Sequence, residues 1–411
     1  MAHNFMARRA LVCAVGSGGD VFPFIGIARA LAARGVDTTM LGPARYKAHA
    51  AGIDYRSIGA DDVFDDVFDK PDVWTAERGL AESWRYYGAA MRSALPLIRS
   101  GWDSGDTVLV GSSFALATRL AEELDGFRNL TVHLSPSIMW SAERPPRWPA
   151  ASIPPGWPPL LRRAAMRLAE TAFVDPVLKR ALNPLRRELG LAPVNRVFSR
   201  YIHGARVAYA FPQWFAPAAP DWPRQGRFAG FILPPRTSQR LGEEVEAFAN
   251  GERPLAVITA GTAVARRPAW VERATTAALA EGMRVLLVTR DREAQRQPEV
   301  LPVPWVPLDL LLPRARLLVH HGGIGTIAEA LRAGVPQIAV PCAHDQHDNA
   351  ARLELLGAGL QLGPGSGSGD WLRALDQVCS GRATAAAHDA RNRIRAEDGA
   401  AAARIAGLAL A

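Results

Sequence analysis

Residues 316–326 read RLLVHHGGIGT. Two histidines, His320 and His321, end an apolar run, and glycines follow at once. The helical pattern IAEALRAG comes next, with Gly334 as its stop. A strand that turns through glycines into a helix presents free backbone N–H groups and a partial positive charge. Gly322, Gly323 and Gly325 let an oxyanion approach that backbone closely. His321 and Thr326 add side-chain donors. The stretch predicts an anion site. A tight turn with glycines chosen for packing is the plainer alternative.

Further on, His344, Asp345, His347 and Asp348 crowd into the run HDQHD. Side chains this close in sequence do not all face one ion from a regular helix. The cluster reads as a hydrogen-bonding shelf for hydroxyls, and no metal is expected.

A second glycine turn lies near the start, GSGGDVFPFIGIARALAARG, directly after an apolar run. A dinucleotide fingerprint needs glycine at its first, third and sixth positions. Gly16 and Gly18 fit, but Val21 stands sixth, and the next apolar run, TTML, ends without an acid to hold a ribose. That weakens a nicotinamide-dependent oxidoreductase reading. What remains is Asp20, at the carboxyl end of the first strand, where open α/β sheets put their chemistry. It either accepts a proton from a substrate or caps the helix behind it. Pro23 is expected in the first helical turn and Gly35 at the helix end.

Both turns need sheets to hold them. Apolar runs at Leu11–Val15, Thr38–Leu41, Thr107–Val110, Leu130–Leu134 and Val207–Phe211 form one series. Leu255–Thr259, Val285–Val288, Leu317–His320, Gln337–Val340 and Gly359–Leu362 form a second. Runs apolar on both faces, separated by helical patterns, predict parallel strands covered by helices. The fold class is α/β, with two doubly wound domains in series. The Pro-rich stretch LPPRTSQRLGE, residues 233–243, marks the seam. Residues 136–160 form a Pro- and Trp-rich break, read as either a wall for an acceptor or a surface excursion.

Composition sets the outer limits. The chain has 411 residues, which favours two domains. Ala10 to Val15 is too short for a secretion signal and reads as a buried strand. No apolar run approaches a membrane span. Three cysteines without a C-x-x-C pair fit a reducing cytosol and no disulfide framework. The formal charge of +8 favours anionic partners. No dense basic-aromatic run points to nucleic acid. In residues 161–187, Arg162, Arg163, Arg167, Lys179, Arg180, Arg186 and Arg187 lie among apolar residues. That pattern reads either as a peripheral membrane contact or as a solvated helix face.

Together these strings resemble the family 1 glycosyltransferases of the two-domain GT-B type. WVPLDLLLPRARLLVHHGGIGTIAEALRAGVPQIAVPCAHDQHDNA, residues 305–350, looks like that family's nucleotide-sugar signature. GSGGDVFPF resembles its acceptor-side loop. The resemblance implies two Rossmann-like domains facing a central cleft. Residues 1–235 would bind the acceptor, 236–385 the nucleotide sugar, and 386–411 would form a C-terminal helix packing back on the first domain. It implies that Trp305, with Val306, meets the base. His321, Gly323, Gly325 and Thr326 hold the diphosphate, Glu329 the ribose, and Asp345 and Gln346 the sugar hydroxyls. Gly261 and Thr262 match a loop on the phosphate side. Gly18 and Gly19 belong to the first turn, and Asp20 takes the place of the acceptor-activating base, as in the branches with G-D-V.

Where many members carry glutamine after the leading tryptophan, Leu308 stands here, compatible with a thymidine-diphospho deoxysugar donor. GDVFPFIGIARAL, VHLSPS and VHHGGIGT look most like the rhamnolipid branch. The expectation is an inverting, metal-independent transferase with a TDP- or UDP-linked donor as substrate and no separate cofactor. L-rhamnose from dTDP-L-rhamnose would go to a hydroxyl of a hydrophobic acceptor, of lipid, hydroxyalkanoate type. A UDP-glucose-dependent enzyme acting on a sterol, polyketide or other natural product, and a sugar-nucleotide epimerase, are the alternatives. The protein is expected in the cytoplasm or at the inner face of the membrane.

Overall fold

The computed structural model describes residues 7–75, 78–148, 153–154, 156–234, 240–261, 267–291, 293–397 and 400–411. Contacts divide it into two units, Met1–Pro234 with Ala400–Ala411, and Pro235–Gly399.

The first unit holds seven strands: β1 (Arg9–Cys13), β2 (Asp37–Gly42), β3 (Asp54–Ser57), β4 (Thr107–Ser112), β5 (Arg128–His133), β6 (Val207–Tyr209) and β7 (Gly226–Phe228). They pair in parallel in the order β3-β2-β1-β4-β5-β6-β7. The second unit holds β8 (Leu255–Thr259), β9 (Arg284–Val288), β10 (Val300–Val303), β11 (Leu317–His320), β12 (Gln337–Ala339) and β13 (Gly359–Gln361). Its order is β10-β9-β8-β11-β12-β13, again parallel throughout. Central strands such as β4 are buried on both faces, as a helix-covered parallel sheet requires. In each sheet the winding reverses once, between β1 and β4 and between β8 and β11. Open α/β sheets leave a crevice at the carboxyl ends of such a pair.

The ten expected strands are all present, within a residue or two at their ends. The three that periodicity missed are β3 (DYRS), β7 (GRF) and β10 (VLPV), and each lies at a sheet edge. An edge strand is covered on fewer sides, so it need not be apolar, and it tolerates a proline such as Pro302.

The first unit's core packs Val12, Phe24, Ile27, Leu31, Val108 and Val132 together with Ile405 and Ala409 of the last helix, Ala401–Leu410. Hydrogen bonds across the unit hold that helix: Arg404 Nε donates to the Ala229 carbonyl at 2.7 Å, Arg34 to Ala403 O at 2.8 Å, and Arg206 to the carbonyls of Leu408 and Ala409. The preceding helix, Gly381–Ala396, packs instead on Ile324–Ala333 in the second unit. The expected C-terminal segment 386–411 is thus two helices, one in each unit. Among the described residues no helix is long and apolar enough to cross a membrane.

The first helix begins at Gly18, a turn earlier than Pro23 suggests, so Pro23 lies inside it. The reason is local. Asp20 reaches back to the backbone N–H of Ser17 and fixes the start there.

Candidate functional site

In the second unit, the turn after β11 separates the two histidines by role. His320 is fully buried. Its Nδ1 accepts the Gly322 N–H at 3.0 Å, so its Nε2 carries the proton donated to Gln337 Oε1 at 3.0 Å. Burial, with the neighbouring His321, pushes its pKa down to about 3. His320 is a neutral brace for the turn.

His321, by contrast, is only partly buried. Its ring lies between Gly261, after β8, and Gly323: a Cβ at Gly261 would come within 2.7 Å of Cε1, and one at Gly323 within 2.5 Å of Nε2. Gly261 and Gly322 also hold positive φ, +93° and +89°, which L side chains adopt only under strain. Burial lowers the His321 pKa to about 4, so the ring acts as a neutral hydrogen-bond donor near neutral pH. Its Nδ1 is buried without a partner among the described residues.

The helix Ile324–Ala333 starts beside that ring. Its N-cap is Gly323, no side chain caps it, and its first turn carries no acid. A Cβ at Gly325 would meet nothing within 4 Å. The N–H groups of this first turn therefore keep their positive potential and open space above them. Thr326 is exposed or half-exposed with its neighbours Ile324 and Gly325 in the same turn.

Glu329 lies nearly buried farther along this helix. Burial pushes its carboxyl up to about 7, against the pull of Arg332, whose Nη2 lies 2.6 Å from Oε2. A group balanced this way can accept or donate hydrogen bonds to hydroxyls.

The shelf after β12 is built by its own hydrogen bonds. Gln346 spends its carbonyl oxygen on the N–H groups of Cys342 (2.8 Å) and Ala343 (3.1 Å), which leaves its amide NH2 for a ligand. Asn349 Nδ2 bridges the Asp345 carboxylate (2.8 Å) and the Gly322 carbonyl (3.2 Å). Fully buried Asn349 therefore fixes the shelf to the turn after β11. Asp348 pairs with Arg352 at 2.7 Å. Among the described residues no group of three His, Cys, Asp or Glu could hold a metal ion. Trp305 is 61% exposed, with a ring face available for stacking. Val306 turns into the apolar cluster with Leu255, Leu311 and Leu318. Thr262 lies outside the described residues.

In the first unit, Asp20 is the third residue of the helix Gly18–Ala32. Its Oδ2 accepts the Ser17 N–H at 2.9 Å and the Ser17 hydroxyl at 3.0 Å. Cap and base are therefore two readings of one group: the carboxylate closes its helix and stands at the β1/β4 reversal. A Cβ at Gly18 would lie 3.0 Å from the Phe22 ring, while at Gly19 the nearest atom would be 3.8 Å away.

A buried polar chain in this unit had no local signal. Ser113 Oγ lies 2.9 Å from His133 Nδ1, and His133 Nε2 lies 3.0 Å from His203 Nδ1. Burial drives both histidines below the ordinary range, His203 to about 4. This neutral chain runs from the end of β4 through β5 to a cavity of about 250 Å3, lined by Trp140, Arg200, His203 and Asp221. The volume is smaller than that of sites enclosing a drug-sized ligand, about 300–1,000 Å3.

Residues 10–101 match the glycosyltransferase family 28 N-terminal domain. Residues 278–403 match the erythromycin biosynthesis protein CIII-like C-terminal domain. The O-mycaminosyltylonolide 6-deoxyallosyltransferase of Streptomyces fradiae is 31% identical over 378 residues, 85% of this chain and 84% of that protein. The glycotransferase of kitacinnamycin superposes with a TM-score of 0.77 at 20% identity, covering 98% of this chain and 100% of the other. Spinosyn rhamnosyltransferase SpnG complexed with thymidine diphosphate gives 0.64 at 20% identity, covering 94% and 96%. At these identities the two structures speak for the fold: two parallel-sheet, Rossmann-like domains of the GT-B kind.

Proposed function

We propose a donor and an acceptor class from one premise: the chain belongs to the family 1 GT-B glycosyltransferases and is a glycosyl-transferring enzyme. The donor is a thymidine-diphosphate-linked deoxyhexose, with L-rhamnose first among the sugars to test. The acceptor is a hydroxyl on a large hydrophobic natural product. The observation that carries this reading is the turn after β11. An uncapped helix start without an acid, open space over Gly325 and a neutral imidazole between two glycines form a cradle for a leaving diphosphate.

The chemistry follows from those groups. The acceptor oxygen attacks the anomeric carbon as the bond from that carbon to the diphosphate oxygen breaks, with inversion. The proton of the acceptor hydroxyl passes to the Asp20 carboxylate. The charge gathering on the diphosphate meets the backbone N–H groups at Gly323–Thr326 and the His321 donor, already oriented before reaction. The Gln346 NH2 and the Asp345 carboxylate hold sugar hydroxyls, Glu329 the ribose, and Trp305 stacks on the base.

Support for a deoxysugar comes from two named relatives, a 6-deoxyallosyltransferase and a rhamnosyltransferase bound to thymidine diphosphate, and from Leu308 after the tryptophan. A second reading, transfer of rhamnose to a hydroxyalkanoate-type lipid, rests on the strings GDVFPFIGIARAL, VHLSPS and VHHGGIGT.

The test is a tryptophan-fluorescence titration with TDP, UDP and NADH side by side. Saturable quenching by TDP, stronger than by UDP and lost in Glu329→Ala, is the expected outcome. A stronger UDP response moves the donor to the UDP sugars. Binding of NADH alone overturns the assignment of both glycine turns.

A further inference from the structure

The helix Pro159–Ala169 and the π-turn after it, Glu170–Val174, expose more apolar surface than folding explains. Among the described residues, ten large apolar side chains are exposed, and five of them fall between residues 157 and 173. They are Trp157 (45%), Leu160 (76%), Leu161 (55%), Leu168 (64%) and Phe173 (73%). Leu160, Leu161, Ala164 and Leu168 share one side of the helix by its 3.6-residue period. The opposite side is the one that folding uses: Met166 is buried, and its carbonyl accepts the Trp140 indole N–H at 3.0 Å. Scattered exposed leucines need no explanation, but a contiguous patch does.

The charge around the patch has one sign. Between Trp157 and Arg187 the sequence has two acids, Glu170 and Asp175, and both are fully buried. Glu170 accepts the Ser199 N–H and hydroxyl, each at 2.7 Å. Asp175 accepts the N–H groups of Arg196 (2.8 Å) and Val197 (3.0 Å). Both are turned inward to hold the 196–199 turn. Glu143 offsets Arg162 and Arg163, and the next acid in sequence, Glu188, is held by Arg92. Arg167, Arg180 and Arg187 stay exposed and form no ion pair among the described residues. Arg180 and Arg187 are seven residues apart on the helix Asp175–Glu188, and so share a stripe.

We propose that this face docks on an anionic lipid bilayer, with the leucines, Trp157 and Phe173 entering the headgroup boundary and Arg167, Arg180 and Arg187 meeting lipid phosphates. An apolar face whose exposed charges without an ion pair among the described residues are the cations Arg167, Arg180 and Arg187 has the chemistry of an interfacial helix. An anionic bilayer offers a phosphate to each of the three arginines without needing a matched set of carboxylates. Docking of this kind decides where the enzyme rests and not what it glycosylates, so it holds with either acceptor.

The test is co-sedimentation of the full chain with vesicles of phosphatidylglycerol and phosphatidylcholine, against phosphatidylcholine alone. Wild type is expected to sediment with the anionic vesicles and to be released by high salt. Leu160→Glu with Leu168→Glu should abolish sedimentation. Arg167→Glu with Arg180→Glu should weaken it by roughly tenfold or more. TDP quenching should be unchanged in both, which shows that the variants are folded. In the unaltered protein, brominated phosphatidylglycerol should quench a tryptophan signal that Trp157→Phe removes. Failure of wild type to sediment, or leucine variants that sediment as before, overturns the proposal. So does a concentration-dependent dimer that the leucine variants dissolve, because the face would then belong to a second copy of this chain.

Discussion

The turn after β1 and the turn after β11 share one layout: a buried parallel strand, glycines at a reversal of winding, and a helix. They differ in the first helical turn. After β1, Ser17 and Asp20 close the helix start with their own hydrogen bonds, and a carboxylate occupies the positive end of the helix dipole. After β11, glycine stands at the cap, no acid follows, and His321 supplies a donor beside open space. The first turn repels a phosphate and presents a proton acceptor. The second leaves its helix start uncapped and acid-free, which suits an anion, and presents no carboxylate. Strand–glycine–helix is therefore a frame, and the side chains of the first helical turn decide whether its N-terminus is closed by a carboxylate or left open.

The largest expected effect comes from removing the basicity of the first turn without removing its cap. Asp20→Asn keeps an oxygen for the Ser17 N–H, so melting should move little. The transfer rate should fall about 10²–10⁴-fold while TDP affinity stays as in wild type. Transfer at the wild-type rate would take Asp20 out of the mechanism.

Making the second turn resemble the first should be nearly as damaging, and to binding instead of chemistry. Gly325→Asp enters open space and complements the helix dipole, so thermal stability should hold or rise. A charge about 5 Å from a diphosphate costs about 3 kcal/mol at an effective dielectric of 20, roughly a hundredfold in TDP affinity. Calorimetric titration beside a melting curve separates the two signs. Unchanged affinity would mean that the diphosphate lies elsewhere.

The smallest effect is a pH dependence. The Glu329 carboxyl is raised to about 7 by burial. Its protonation therefore favours the folded state below its ordinary range, and that contribution fades as pH rises through about 7. In the proposed ribose role its carboxylate form would accept from the hydroxyls, so wild-type TDP affinity should rise between pH 6 and pH 8. The phosphate titrates in any variant. The difference between wild type and Glu329→Gln isolates the carboxyl, and parallel curves would remove it from the ribose site.

Much of the candidate site was legible along the chain. His321, Gly323, Gly325 and Thr326 fall within one strand-turn-helix string that reads locally as an anion turn, whereas Glu329 entered only through the family resemblance. The supports were not legible. His320 sits beside His321 and looks equivalent, yet Gln337 from the adjacent strand and the Gly322 N–H fix it as a neutral brace. Asn349 lies near the end of a motif, and only the fold shows it tying Asp345 to the turn after β11 through Gly322. Ser113 and His133 are 20 residues apart, and His133 and His203 are 70 apart; no periodicity links them.

The sequence alone determined the period of its apolar runs, the places where glycine permits a turn, and the residue types offered at those turns. Those are local properties, set by backbone sterics and side-chain chemistry within a few residues. The tertiary structure decided which strands lie at the edges, which unit claims each of the last two helices, and which of two adjacent histidines is buried as a brace. It also decided that Glu329 titrates near neutrality. Each depends on what distant segments place around a residue, because desolvation and hydrogen-bond partnership are properties of the surroundings and not of the chain position.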